Sequence, residues 1–226
     1  MSIAENIEII EDRILKACTL AGRNRSEITL MGVSKFVPIP KIKEAVVCGI
    51  KCFGESKVQE AVQKFESFDR TGIELHMIGS LQRNKAKTAL QFFDCIQSVD
   101  REQLITELAK SVLLKNEPLK VLLEFHTGEE SKSGFENIEA LFRGAESVVS
   151  LGMKPVGLMT MAPYTKDVSL IRASFRKLVY AQKELKNKFP GTGNWECLSM
   201  GMSNDFDIAV EEGSTMLRIG SLIFKE

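Results

Sequence analysis

Apolar residues recur at steps of three or four across residues 3–21, at Ile3, Ile7, Ile10, Ile14 and Cys18, which predicts one apolar stripe along a helix. Gly22 ends it. The period then changes repeatedly. Short β-rich runs at residues 29–34, 52–54, 75–79, 95–99, 120–125, 155–159, 196–200 and 216–220 alternate with amphipathic stretches at 40–48, 58–68, 84–92, 101–114, 137–151, 168–188 and 205–212. This alternation predicts βα units around a parallel sheet, and eight β-like runs predict closure into an α/β fold, a (β/α)8 TIM barrel. Only seven helical stretches follow strands, so residues 3–21 are expected to take the eighth outer place. An open doubly wound sheet is the alternative, but the G-x-G-x-x-G that usually follows its first strand is absent. The connections are short and no Pro/Gly/Ser-rich linker interrupts them, so residues 1–226 are expected to form a single barrel domain.

Composition narrows the function classes. With 44% hydrophobic and 27% charged residues, the chain can bury a core and is unlike disordered or fibrous sequences. Thirty Lys and Arg balance thirty Asp and Glu, so nothing steers the whole molecule toward nucleic acid or an anionic membrane. Any anion site must be local. No run of about 18 apolar residues is available to span a bilayer, and Glu5, Glu8, Glu11 and Asp12 stand where a signal peptide needs a basic start. The expected address is the cytoplasm, and a monomer is the default. The five cysteines are odd in number and include no C-x-x-C pair, so reduced thiols are expected rather than disulfides or a zinc motif. Cys197 precedes a loop of interest, yet reads first as a small buried residue.

In a barrel of this kind the site forms at the C-terminal ends of the strands. The first run ends in Lys35, where burial in the barrel mouth would lower the ammonium pKa and free an amine able to form a Schiff base; a solvated strand-end lysine is the plainer reading. After the seventh run, Ser199, Gly201, Met202 and Ser203 lie between a strand and a helix starting near Asn204, a pattern that can cradle a phosphate. Ser203 or Asn204 could equally serve as that helix's N-cap. The eighth run supplies Arg218, Gly220 and Ser221, and the loops after strands seven and eight are a common phosphate site. Arg218 could face an anion, a ring nitrogen or a structural carboxylate. His76 and His126 also fall at strands, and each reads first as a satisfied core or loop histidine.

Seven blocks then act together: 33–35 (Val-Ser-Lys), 53–60 (Phe-Gly-Glu-Ser-Lys-Val-Gln-Glu), 76–85 (His-Met-Ile-Gly-Ser-Leu-Gln-Arg-Asn-Lys), 132–134 (Lys-Ser-Gly), 157–159 (Gly-Leu-Met), 198–203 (Leu-Ser-Met-Gly-Met-Ser) and 213–220 (Gly-Ser-Thr-Met-Leu-Arg-Ile-Gly). In order and spacing they closely resemble the pyridoxal 5′-phosphate (PLP) homeostasis family, also called YggS/PROSC, over nearly the whole chain. The resemblance implies a fold-type III PLP barrel like the alanine racemase N-terminal domain, without that enzyme's additional β-domain. It implies Lys35 as the Schiff-base lysine, and Ser199, Gly201, Met202 and Ser203 with Gly220 and Ser221 on the phosphate side. Arg218 would face the pyridine nitrogen, and Met77 or Ile78 would flank the cofactor. Three departures stand out. Ser56 replaces the family's usual asparagine, Ser221 replaces its threonine, and the sequence stops at Phe224-Lys225-Glu226 where many relatives continue.

The resemblance implies a PLP-binding protein of vitamin B6 homeostasis, non-catalytic, with indirect effects on amino-acid and keto-acid metabolism and with PLP-dependent apo-enzymes as recipients. Two enzymes compete with that reading. An amino-acid racemase needs a second acid–base group opposite Lys35, and the two tyrosines, Tyr164 after strand six and Tyr180 within an amphipathic helix, are not obvious counterparts. A Schiff-base aldolase acting on a phosphorylated sugar also uses a barrel lysine and a phosphate loop, but the blocks point elsewhere.

Overall fold

The computed structural model describes residues 1–112, 118–128 and 133–225. Leu114, Lys132 and Glu226, which figured in the sequence reading, lie outside them. The chain runs α1 (Ile3–Ala21), β1 (Thr29–Val33), α2 (Ile39–Val47), β2 (Cys52–Glu55), α3 (Val58–Phe65), β3 (Glu74–Met77), α4 (Ala86–Phe92), β4 (Cys95–Val99) and α5 (Glu102–Val112). It continues through β5 (Lys120–Glu124), α6 (Ile138–Ser150), β6 (Lys154–Met159), α7 (Val168–Lys188), β7 (Cys197–Ser199), α8 (Phe206–Glu211), β8 (Met216–Ile219) and α9 (Ser221–Phe224). The strands pair in parallel and in chain order, and β8 closes on β1 with Arg218 beside Met31. The protein is a closed (β/α)8 barrel.

Strand alternation sorts the side chains into two layers. Leu30, Phe53, Leu75, Met77, Leu198 and Leu217 point outward and pack against the helices in the main core. Met31, Cys52 and Met216 meet inside the ring, as do Cys95, Leu122 and Met159. Barrel interiors are commonly filled by branched aliphatic layers. Here the interior also carries the buried polar residues His76, Gln97, Ser199 and Arg218, and each needs a partner.

The helix α1 forms where the apolar stripe predicts it. A capping box starts it, with Glu5 N–H donating to Ser2 Oγ and Ser2 N–H to Glu5 Oε2, and Gly22 ends it in the left-handed region at φ 64°. Its buried face, Ile3, Ile7, Ile10, Ile14 and Cys18, packs against α8, α9 and α2, in the outer ring beside the four-residue α9. The buried Asn6 fixes this seam by donating to the carbonyls of Ile223 (3.0 Å) and Lys225 (2.9 Å). The sequence reading did not foresee the short helix α9. The stretch 205–212 covers α8, but the N-cap expected at Ser203 or Asn204 lies one or two residues further on. The N-cap is Asp205, and its Oδ1 accepts from Met202 N–H at 2.6 Å instead of capping the helix's own amides.

Because Ile14 is fully buried between α1 and the barrel, Ile14→Ala is expected to cost about 2–5 kcal/mol of unfolding free energy. Leu20→Ala, on the exposed face, should change it by less than about 0.5 kcal/mol. Urea denaturation followed by circular dichroism separates the two.

Candidate functional site

At the C-terminal end of β1 the chain turns sharply. Ser34 is buried and pairs its N–H with the Gly54 carbonyl, while Lys35 and Phe36 stand exposed. Phe36 occupies the left-handed region at φ 61°, a conformation that costs a bulky residue and persists only where its surroundings hold it. They do so through a charged clamp. Ser34 Oγ donates to Glu55 Oε1 (2.7 Å), Lys64 Nζ donates to Glu55 Oε1 (3.0 Å) and to the Ser34 carbonyl (2.7 Å), and Glu60 Oε1 takes Phe36 N–H (2.6 Å). Lys64 also bridges to Glu60 at 2.7 Å. Burial raises the Glu55 carboxyl pKa, against the lowering effect of Ser34 and Lys64. Lys35 therefore sits on a turn fixed from beneath. Its side chain is solvent-exposed, which is the plainer of the two readings of this run.

The loops after β7 and β8 meet at the same end. Ser221 Oγ donates to Ser203 Oγ at 2.9 Å. Gly201 lies at φ 96°, and a Cβ there would fall 2.5 Å from Ala209 Cβ, so only glycine lets this loop lie against α8. Gly220 approaches β1, where a Cβ would meet the Val33 carbonyl at 3.0 Å. Arg218 N–H bonds the Gly201 carbonyl at 3.0 Å and ties the loop after β7 to β8.

Inside the mouth Arg218 is buried, at 4% exposure. Nη1 donates to the Ser199 carbonyl (2.6 Å) and to Ser199 Oγ (2.8 Å), and Nη2 donates to the Thr160 carbonyl (2.7 Å). Burial lowers its pKa to about 10, which still leaves it charged at neutral pH, with Asp205 and Glu124 holding it up. Among the described residues its side-chain hydrogen bonds go to Ser199 and Thr160, and the carboxylates of Asp205 and Glu124 act on it through charge.

Ser199 needs a correction. It was expected to donate to a phosphate, but it is fully buried, and its hydroxyl accepts from Arg218 and donates to Gln97 Oε1 at 2.7 Å. It supports Arg218. The same polar chain continues inward, as Gln97 Nε2 reaches His76 Nδ1 (2.8 Å) and His76 Nε2 faces Glu74 Oε2 (3.2 Å). His76 is thus a satisfied interior histidine, and His126 lies in the connection after β5 with its N–H on the Phe135 carbonyl.

Of the adjacent pair, Met77 points outward into the core between strands and helices, and Ile78 packs on the interior cluster of Met31, Cys52 and Met216. Alternation assigns the mouth to Ile78. Ser56 and Met77 instead border a cavity of about 430 Å³ between the connections after β2 and β3, with Lys57, Gln82 and Lys85. Met202 borders another, of about 550 Å³, with Tyr164, Lys166 and Asn204. Tyr164 is 88% exposed and Tyr180 is 58% exposed on α7, so neither tyrosine is buried in the barrel mouth.

The chain matches the family described as alanine racemase, N-terminal domain, over residues 6–226. A solved alanine racemase from E. faecalis shares the fold at a TM-score of 0.72 with 15% identity, covering all of this chain and 59% of that one. PipY of Synechococcus elongatus PCC7942, in a structure with PLP bound, is 30% identical at a TM-score of 0.83, covering 99% of this chain and 100% of that one. The pyridoxal phosphate homeostasis protein of Aquifex aeolicus is 40% identical over 230 residues, covering 100% of this chain and 99% of its own. The chain belongs to the pyridoxal phosphate homeostasis protein family.

Within this homeostasis-family barrel, several structural participants escaped the sequence reading. Gln97 had a signal, a polar residue at an inward position of the run 95–99. Thr160 acts through its backbone carbonyl, which no side-chain pattern reports. Glu55 and Lys64 meet across β2 and α3, nine residues apart, and their contact depends on how the helix packs on the barrel.

The clamp yields a pH prediction. A carboxyl raised in the folded state favours folding at low pH and loses that contribution as pH rises through its folded pKa. Lys64 opposes the loss by stabilising ionised Glu55. Lys64→Met should therefore cost up to about 3 kcal/mol where Glu55 is ionised and loses its cation, and progressively less as the pH is lowered from 7 to 4 and the carboxyl is protonated. Thermal melts of both proteins across this range would show the gap narrowing on acidification.

Proposed function

We propose that this barrel binds PLP at its C-terminal mouth and serves intracellular PLP homeostasis, holding and releasing the cofactor and lacking an efficient reaction of its own. The observation that carries the reading is the pairing of Ser203 with Ser221 across two glycine-shaped loops, the first of which Arg218 ties to β8. Hydroxyl donors, the first amides of α9 and the backbone around Gly220 suit a phosphate without supplying a fixed charge. Gly201 supports the cradle by letting its loop lie against α8, and Met202 flanks it. Lys35 offers an exposed amine at the same end for the Schiff base, Ile78 supplies an apolar wall, and Met77 and Ser56 stand behind it. PipY, solved with PLP bound, supports the same assignment for this relative.

Bound PLP supplies an electrophilic aldehyde and a pyridine ring that withdraws electrons strongly only when its nitrogen is protonated. Arg218 opposes that protonation, since a fixed cation penalises a second positive charge beside it. Three of its five N–H groups serve Ser199 and Thr160, leaving two for a ring acceptor. A proton-transfer partner opposite Lys35 would also be needed for racemisation, and the exposed tyrosines do not supply one. PLP-dependent apo-enzymes fit as recipients of the released cofactor. The balanced charge gives no pull toward nucleic acid or membrane, the free thiols suit the cytoplasm, and the protein is proposed to act as a monomer.

Three measurements test this. Pyridoxal without its phosphate should bind at least about tenfold more weakly than PLP, and the double substitution of Ser203 and Ser221 by Ala should erase most of that preference, at roughly 0.5–1.5 kcal/mol per lost hydrogen bond. Equal affinity for both forms in the wild type defeats the phosphate assignment. Borohydride reduction and peptide mapping should find PLP on Lys35, and Lys35→Ala should remain folded without covalent attachment. Rapid, Lys35-dependent turnover of any amino acid in a panel would show an enzyme instead of a carrier.

A further inference from the structure

We propose that the floor of the barrel, opposite the mouth, binds one thiophilic divalent cation of the zinc class through Cys52 Sγ, one Glu74 oxygen and His76 Nε2. Cys52 and Glu74 begin β2 and β3 and are paired across the ladder, and His76 lies two residues along on the same inward face. Their ligand atoms lie within 4.8 Å of one another. A tetrahedral site with bonds of about 2.0–2.3 Å separates its ligands by roughly 3.4–3.7 Å, so a modest inward turn of side chains closes it. Glu74 can make that turn, because its side chain is 51% exposed and opens the site to solvent.

The surroundings resemble those of a metal-ligating triad. Gln97 meets His76 at Nδ1 and leaves Nε2 facing Glu74. Coordination at Nε2 requires the proton on Nδ1, so cation binding must turn the Gln97 amide, presenting its carbonyl to His76 and its NH2 to Ser199 Oγ in exchange for the metal-free bonds. Glu74 divides its oxygens, with Oε1 on Lys120 at 2.9 Å and Oε2 toward His76. One oxygen is therefore available without breaking the Lys120 bridge. A water entering beside the exposed Glu74 can complete four-coordination. A coordinating thiol binds as the thiolate, so the cation takes the place of the Cys52 proton, which leaves to solvent. A sulfur, nitrogen and single-oxygen set selects Zn2+, Cd2+ or Co2+ over Mg2+ or Ca2+.

The test uses the full chain stripped of metal with a chelator and titrated with Cd2+ and, separately, Co2+. One equivalent of Cd2+ should produce a thiolate-to-metal charge-transfer band that Zn2+ abolishes and Mg2+ does not, and Co2+ should give tetrahedral d–d absorption. Cys52→Ser should remove the band, Glu74→Gln should weaken binding by roughly tenfold or more, and Cys18→Ser and Cys48→Ser should leave it unchanged, with circular dichroism confirming that each variant is folded. No band at one equivalent, or an equal band in Cys52→Ser, overturns the proposal. The readout is independent of PLP, so the floor site and the mouth assignment stand or fall separately.

Discussion

The structure depends on keeping a permanently charged guanidinium inside a closed barrel. Removing an ion from water costs several kcal/mol even after the protein relaxes, and a charge-assisted hydrogen bond returns about 1.5–3 kcal/mol. Arg218 makes three, to Ser199 O, Ser199 Oγ and Thr160 O. These bonds dictate much of the interior. Ser199 must keep its lone pair toward Arg218, so its proton goes to Gln97 Oε1, and the Gln97 amide then turns its NH2 to His76. One buried cation thus orders a polar chain across the barrel, where branched aliphatic layers usually sit.

That requirement also explains why the loops after β7 and β8 are built as they are. The Arg218 backbone N–H holds the Gly201 carbonyl while its side chain holds Ser199, so a single residue fixes both the end of β7 and the turn beyond it. Gly201 must be glycine for the loop to lie against α8, and Asp205 then receives Met202 N–H. Ser203 is carried to within 2.9 Å of Ser221 as a consequence. The hydroxyl pair at the surface is positioned by the buried charge beneath it.

Period and punctuation were enough to read the architecture, because α1, β4 and α7 are long or strongly patterned and their bounds follow from side chains alone. The edges near the mouth were harder. The run 196–200 reads as five extended residues, yet β7 is Cys197–Ser199, because Met200 and Gly201 turn to meet β8. Ser199 looked like a phosphate ligand because a hydroxyl beside a glycine is the local signature of one. Its actual role depends on Gln97, 102 residues away. Sequence showed that Ser203, Gly220 and Ser221 belong to neighbouring loops. It could not show which serine faces inward, since strand alternation fixes a face only once the strand's end is known.

The two ends of the proposed cofactor site differ in their access to water, and that difference bears on release. Arg218 is enclosed and rigidly bonded, whereas Lys35 lies on an exposed turn beside Phe36, itself 75% exposed and held in a left-handed conformation. A Schiff base on an open turn stays within reach of the water that hydrolyses it, while an enclosed catalytic site excludes water to protect reactive species. The clamp of Glu55, Lys64 and Glu60 fixes the turn from below without covering the amine. For a protein that holds PLP reversibly, an ordered but uncovered lysine is the suitable geometry, and a closing lid that raised turnover would also slow the cofactor's departure.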